Sequence, residues 1–153
     1  MSPRAAWRLE EAGFGPVYDY VAGKSDWLAA DLPFEGTAQL AGMFTRREVA
    51  TASGATPAAE ALQRLRALGF GPVVVVNHAG VVMGAAHRDD LEAAAADTPV
   101  GALARFGVST VRPSEQAAEL AHRMSHTELT RIIVTRSDGT LIGLFFAADI
   151  AAT

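Results

Sequence analysis

Apolar positions along the chain fall into two periods, and both periods occur twice. Ala58, Ala61, Leu62 and Leu65, and again Ala117, Leu120, Ala121 and Met124, follow the i, i+3, i+4, i+7 spacing of an amphipathic helix. Each helical stretch is followed by a β-branched run, at residues 73–76 and 132–134. Asn77-His-Ala-Gly80 and Arg136-Ser-Asp-Gly139 then predict hairpin turns with glycine at positive φ, leading into return strands at 81–86 and 140–145. Upstream of each helix lies a short extended segment, Val49-Ala-Thr-Ala52 or Val108-Ser-Thr-Val111. A helix-start signal comes next, Thr56-Pro57 in one copy and Pro113-Ser114 in the other. A short closing helix is expected after His87 and after Phe146.

The two patterns are one pattern repeated. A shift of 59 residues lays positions 42–91 on 101–150 without a gap, and twelve of the fifty positions are identical. Thr51/Thr110, Glu60/Glu119, Gly80/Gly139, Gly84/Gly143 and Asp90/Asp149 are among them. Such a repeat predicts two copies of a strand-helix-strand-strand-helix unit, each too small to close its own core. The expected class is α+β, with small sheets carrying helices on one face and a pseudo-twofold axis between the copies. That symmetry creates two equivalent clefts between the units. Boundaries are expected at 1–36 for an N-terminal appendage, 37–96 for the first unit and 97–153 for the second.

Composition narrows the function. Of 153 residues, half are hydrophobic and a fifth are charged, as in a globular chain. The net charge of −4 argues against a nucleic-acid partner. The absence of cysteine removes disulfides, thiolate metal sites and a cysteine nucleophile. The N-terminus has no apolar core of signal-peptide type, and the longest apolar run, 141–148, is too short for a membrane span. A cytoplasmic chain without a membrane partner is the expectation.

Val108-Ser-Thr-Val-Arg-Pro, the following helix, Arg131-Ile-Ile-Val, Ser137-Asp-Gly and Gly143-Leu-Phe-Phe-Ala-Ala-Asp149 resemble the CBS motif, named after cystathionine β-synthase. The first copy, ending Gly84-Ala-Ala-His-Arg-Asp-Asp90, resembles a second CBS motif, and a tandem pair of this kind forms a Bateman module. The resemblance covers about three quarters of the chain. It implies an adenosine-containing ligand, such as AMP, ADP, ATP or S-adenosylmethionine, in a cleft between the motifs. It also implies a homodimer. Whether magnesium accompanies the ligand is left open.

In that family the ribose motif is Gly, two variable residues, Ser or Thr, two more, then Asp. A carboxylate there can accept hydrogen bonds from both vicinal ribose hydroxyls. Here the acids are Asp90 and Asp149, but His87 and Phe146 stand at the hydroxyl positions. His87 and Arg88 can still serve a phosphate, whereas Phe146 would fill space, so the Asp90 site is the better candidate. The resemblance places adenine between Ala52, Pro72 and Val73, or Val111 and Ile132, beside the backbones of Thr51 and Thr110. Arg131 is the expected phosphate partner. Each acid has a plainer role as a helix first-turn charge, His87 as an N-cap, Phe146 as a core ring, and the repeated glycines as sites of close packing.

The first forty residues read as an appendage of helix, strand and helix. Ser2 and Pro3 start the first helix, Gly13 stops it, Val17-Tyr-Asp-Tyr-Val21 forms the strand, and a second helix begins at Ser25. Gly13-Phe14, Ala22-Gly23, Trp27 and Leu32-Pro-Phe-Glu-Gly36 resemble the C-terminal tail of a rhodanese domain. Sulfur transfer by that family's persulfide needs a cysteine, and there is none. The segment is either a relic that covers the module with Trp7, Tyr18, Tyr20 and Trp27, or the downstream part of a longer product.

His122 and His126 stand four apart on a predicted helix, a spacing that can serve a metal, but no third ligand is near in sequence. They read as a solvent-facing pair. Glu60/Arg64 and Glu119/Arg123 have the order of i, i+4 ion pairs. No phosphate loop, catalytic triad or acid pair is present. The expected function is a non-catalytic regulatory sensor that passes its signal to an effector protein. The alternative is a ligand-free dimerisation scaffold with degenerate clefts.

Overall fold

A computed structural model of the chain describes residues 3–150. The appendage contains α1 (Pro3–Glu11) and α2 (Gly23–Ala29). The first repeat runs through a 3-10 turn (Ala41–Phe44), β1 (Thr45–Arg46), β2 (Thr51–Ala52), α3 (Ala58–Leu68), β3 (Val73–Val76), β4 (Val82–Ala86) and α4 (Arg88–Ala93). The second runs through α5 (Val100–Leu103), β5 (Arg105–Phe106), β6 (Thr110–Val111), α6 (Ala117–His126), β7 (Arg131–Thr135), β8 (Leu141–Phe146) and a 3-10 turn (Ala147–Asp149). The last of these is a single tight turn where a second closing helix was expected.

The strands form two four-stranded sheets, ordered β2-β3-β4-β5 and β1-β8-β7-β6. In each, a strand and the one after its helix pair in parallel, and the next two form an antiparallel hairpin. The fourth strand is exchanged. β1, near the start of the first unit, pairs with β8 of the second, while β5, near the start of the second, pairs with β4 of the first. These two-residue strands have no alternation of their own and were not foreseen. Gly84 and Gly143 explain why the exchange fits: a Cβ would sit 2.6 Å from the Arg105 carbonyl oxygen and 2.2 Å from that of Arg46, respectively.

Hydrogen bonds display the repeat symmetry directly. Val81 and Thr140, equivalent under the 59-residue shift, bridge to one another, so the pseudo-twofold axis passes between them. Around it, Val82 N–H donates to the Gly139 carbonyl at 3.1 Å and Leu141 N–H to the Gly80 carbonyl at 3.0 Å. Both turn glycines have positive φ, +77° and +87°, as hairpin geometry requires.

The helix starts differ in detail from expectation. α3 begins after Pro57 and α6 after Gln116, neither with a side-chain cap. Instead Ala58 N–H donates to the Thr98 carbonyl and Ala117 N–H to the Gln39 carbonyl, so the segment entering the other repeat satisfies each first turn. Pro113-Ser114 does not start α6 because its loop is claimed by Gly42 and Ala41, whose N–H groups donate to the Pro113 and Glu115 carbonyls. Arg64 makes the expected pair with Glu60 at 2.5 Å, but Arg123 reaches back to Glu115 rather than Glu119.

Residues 17–21 form no strand and join neither sheet, and Tyr18 and Val21 are 80% and 91% exposed. Gly13 ends α1 region at φ +86°, while Ser2, the expected cap, lies outside the described residues. The appendage docks through α2. Ala29 enters the second unit's core, Ser25 hydroxyl meets Ser114 hydroxyl at 3.0 Å, and Arg136 donates to Asp26 at 2.5 Å. Trp7 is largely exposed, so it does not provide the cover proposed for it.

Candidate functional site: a cleft at the seam between the repeats

Strand parity decides which side chains meet between the units. Val73 and Val75 face α3 in the first core, and Val134 faces α6 in the second. The alternate residues Val74, Ala85, Ile133 and Leu144 point the other way and make a third apolar cluster at the seam. At one end the cluster opens into a cleft of about 380 Å³ lined by Pro72, Ala85, His87, Val108, Ser109, residues 128–133 and Leu144. His87 and Arg131 also border an adjoining depression with Gly69, Phe70, Gly71, Arg88, Asp89 and Phe146. The fold thus brings together Pro72, His87, Arg88, Arg131 and Ile132 from two separate repeats.

Chemically the cleft has an apolar wall and a cationic mouth. Pro72, Val108, Leu129, Ile132 and Leu144 offer flat apolar surface, and Ser109 and Thr130 add hydroxyls. His87 is held at the extended residue preceding α4, with its side chain uncommitted to capping. Arg131 opens β7 opposite Phe146 in the hairpin register and has no acidic partner among the described residues. Arg88 has only a long contact with Glu92, 3.9 Å. Against these cations stand Asp89 and Glu128. A site of this volume and make-up suits a small organic ligand carrying negative charge.

The remaining predicted residues lie elsewhere. Of the expected adenine walls, Pro72 and Ile132 line the cleft, whereas Ala52, Val73 and Val111 are sealed in the two cores. Thr51 carbonyl accepts from Arg64 at 2.8 Å, and Thr110 borders a separate depression with Val82, Met83 and Gly107. Asp90 lies beside Ala93, Ala102 and Leu103, where Arg105 donates to it at 3.2 Å. Asp149 accepts two bonds from Arg46, Nε to Oδ2 at 2.8 Å and Nη2 to Oδ1 at 2.6 Å. These bonds hold the Asp149 carboxyl below its ordinary range and push the Arg46 guanidinium up.

Phe146 and Phe70 meet edge to face at 5.8 Å, and the Arg46 guanidinium lies over both rings at 4.5 and 5.1 Å. Under the 59-residue shift Arg46, Phe70 and Phe146 are equivalent to Arg105, Leu129 and His87, of which Leu129 and His87 line the cleft. Sequence reasoning missed Ala85, Val108, Leu129 and Leu144 as walls, and Arg46 and Arg105 as partners of the acids. The period of two along each strand would have located Ala85 and Leu144. Among the described residues, no three histidines or acids gather to hold a metal ion, and no helix is long and apolar enough to cross a membrane.

Two strand-helix-hairpin units, exchanging edge strands across a pseudo-twofold axis with a cleft at their seam, define a duplicated α+β module. The CBS domain family model matches residues 38–97 and 100–152, and the chain belongs to that family. Among solved structures, it is similar to the cytosolic domain of the Mg2+ channel MgtE in complex with ATP, with TM-score 0.68 and 24% identity over 74% of this chain. It spans 48% of that structure. It is also similar to the CBS domain pair of protein MJ0100 with 5′-methylthioadenosine and S-adenosyl-L-methionine, with TM-score 0.65 and 18% identity over 76% of this chain and 95% of that one. A third, CBSX2 in complex with AMP, has TM-score 0.65 and 20% identity over 74% of this chain and 94% of that one. No curated protein sequence matches the chain.

Proposed function

We propose that the protein is a non-catalytic sensing module whose seam cleft takes an adenosine-containing ligand with phosphate or another anionic group. The observation that carries this reading is the junction of an apolar wall, Pro72, Val108, Leu129 and Ile132, with the guanidinium groups of Arg88 and Arg131 and the imidazole of His87. Related folds that hold ATP, AMP or S-adenosyl-L-methionine support it. The ring lies on the wall and the anion at the mouth, where the fixed fork of Arg131 suits a phosphate. Asp90 joins the ribose only after Arg105 releases it. The chain acts as a homodimer, in the cytoplasm, on an effector protein, with motif boundaries at 37–96 and 97–153.

A thermal-shift panel of AMP, ADP, ATP, S-adenosylmethionine and NADH, each with and without magnesium, tests the reading. Ligand at 100 times its dissociation constant stabilises the fold by about 2.7 kcal/mol, a shift of a few degrees at this size. The expected result is a selective shift that disappears in Arg131→Ala. A flat panel from a folded protein removes the sensor reading. A second reading, a scaffold without ligand, draws on the stack of Arg46, Phe70 and Phe146, which ties up the residue standing at the second hydroxyl position. A chain that stays monomeric in light scattering across a wide concentration range removes that one.

A further inference from the structure

On α6, outside the residues that line the cleft, His122 and His126 bring their Nε2 atoms to 3.2 Å. The two rings stand at 88° with centroids 4.6 Å apart, and both residues are exposed. One ring must carry an Nε2–H for this contact to be a hydrogen bond, so the second ring's lone pair points at the first ring's nitrogen. With both Nε2 atoms unprotonated, the two lone pairs face one another across the gap, and a modest turn of each ring aims them at a shared point beside it. With Zn–N distances of about 2.0–2.1 Å, a 3.2 Å separation of the nitrogens subtends roughly 100° at the ion, close to a tetrahedral angle.

The surroundings favour a cation there. The pair occupies the last two turns of α6, toward the negative end of the helix dipole. Arg123, the cation between the two histidines in sequence, is drawn back onto Glu115. We propose that His122 and His126 form a two-imidazole site for a borderline divalent transition metal of the zinc, nickel or copper(II) class. The protein supplies two ligands through Nε2, and water or a small anion completes the coordination. The site is independent of the ligand reading of the seam cleft.

The test uses the full chain without a polyhistidine tag, titrated with zinc, nickel and copper(II) chlorides by calorimetry. One ion per chain should bind saturably in the micromolar range. Because chelation makes the second bond intramolecular, His122→Ala and His126→Ala should each weaken binding by roughly 100-fold. His78→Ala and His87→Ala should bind as the wild type does. Copper(II) electron paramagnetic resonance on the unmodified chain should show two equivalent imidazole nitrogens, a readout that needs no variant. Absence of saturable binding overturns the proposal. So does binding that survives His122→Ala, binding lost in His87→Ala, or a spectrum showing one nitrogen.

Discussion

Arg46, on the strand that opens the first repeat, grips Asp149 at the end of the second with a two-pronged hydrogen bond. The pairing recurs 59 residues on, where Arg105 reaches Asp90. Each exchanged strand thus carries an arginine to the acid that closes the other repeat, linking the units as well as the sheets. The Asp149 pair is the more enclosed of the two, with its guanidinium laid over Phe146.

This pair makes stability depend on acid. Hydrogen bonds from Arg46 hold the Asp149 carboxyl below the ordinary carboxylate range. The unfolded chain therefore binds the proton first, and the contribution is fully present above the unfolded value. It is lost as pH falls from about 4 through the lower folded value. Asp26 acts in the same sense through Tyr20 and then Arg136. Urea denaturation from pH 6 down to about pH 2 should show a falling stability in the wild type and a shallower fall in Asp149→Asn. Equal slopes would show that the Arg46 contact does not persist in solution.

Arg105 should compete with a ribose for Asp90. An exposed ion pair contributes about 0.2–1 kcal/mol, so releasing it should raise ligand affinity by about 1.5- to 5-fold. Calorimetry with AMP on Arg105→Ala should show that gain, while Asp90→Ala should lose binding. If Arg105→Ala instead weakens binding, the arginine contacts the ligand itself and Asp90 has no ribose role.

Much of the architecture was legible because the repeat makes each half a check on the other. The helical spacing of Ala58 to Leu65, the valine run at 73–76 and the turn glycines Gly80 and Gly139 all found their places. The site was less legible. Val73 and Val74 look alike in sequence, yet one faces a helix and the other the seam, and one residue of register separates core from cleft wall. Arg46 and Arg105 are identical under the repeat shift, but their strands have two residues each and owe their existence to the partner sheet. Residues 17–21 failed for the opposite reason. Alternating aromatic and polar residues suit a strand, but here the segment joins neither sheet and leaves Tyr18 and Val21 exposed.

Gly84 and Gly143 should resist even alanine. At Gly143 the added Cβ would lie 2.2 Å from the Arg46 carbonyl oxygen and 2.8 Å from Thr45 Cγ2. Backbone, rather than a flexible side-chain tip, must then move, and the β1–β8 pairing would open. Gly143→Ala should destabilise by about 1–3 kcal/mol, read as a lower urea midpoint with an unchanged slope. Gly80→Ala, with open space around its Cβ, would act only through its positive φ. A neutral Gly143→Ala would mean that the exchanged strand is not seated as described.

The repeat also identifies a residue held in an unfavourable conformation. After α3, Gly69 takes φ +78° and caps the helix through a hydrogen bond from its N–H to the Leu65 carbonyl. Its equivalent after α6 is Glu128, at φ +55° and exposed. A side chain at positive φ costs about 1–2 kcal/mol relative to glycine, while glycine adds unfolded-state entropy that offsets part of the gain. Glu128 makes no ion pair among the described residues, so little is lost with its side chain. Glu128→Gly should therefore stabilise the fold by about 0.5–1 kcal/mol, and Glu128→Asn by less. Urea midpoints rising in that order would confirm the left-handed turn at the cleft rim. A Glu128→Val variant, whose branched side chain tolerates positive φ least, should fall below the wild type. If glycine and valine shift the midpoint in the same direction, the residue does not hold that conformation in solution.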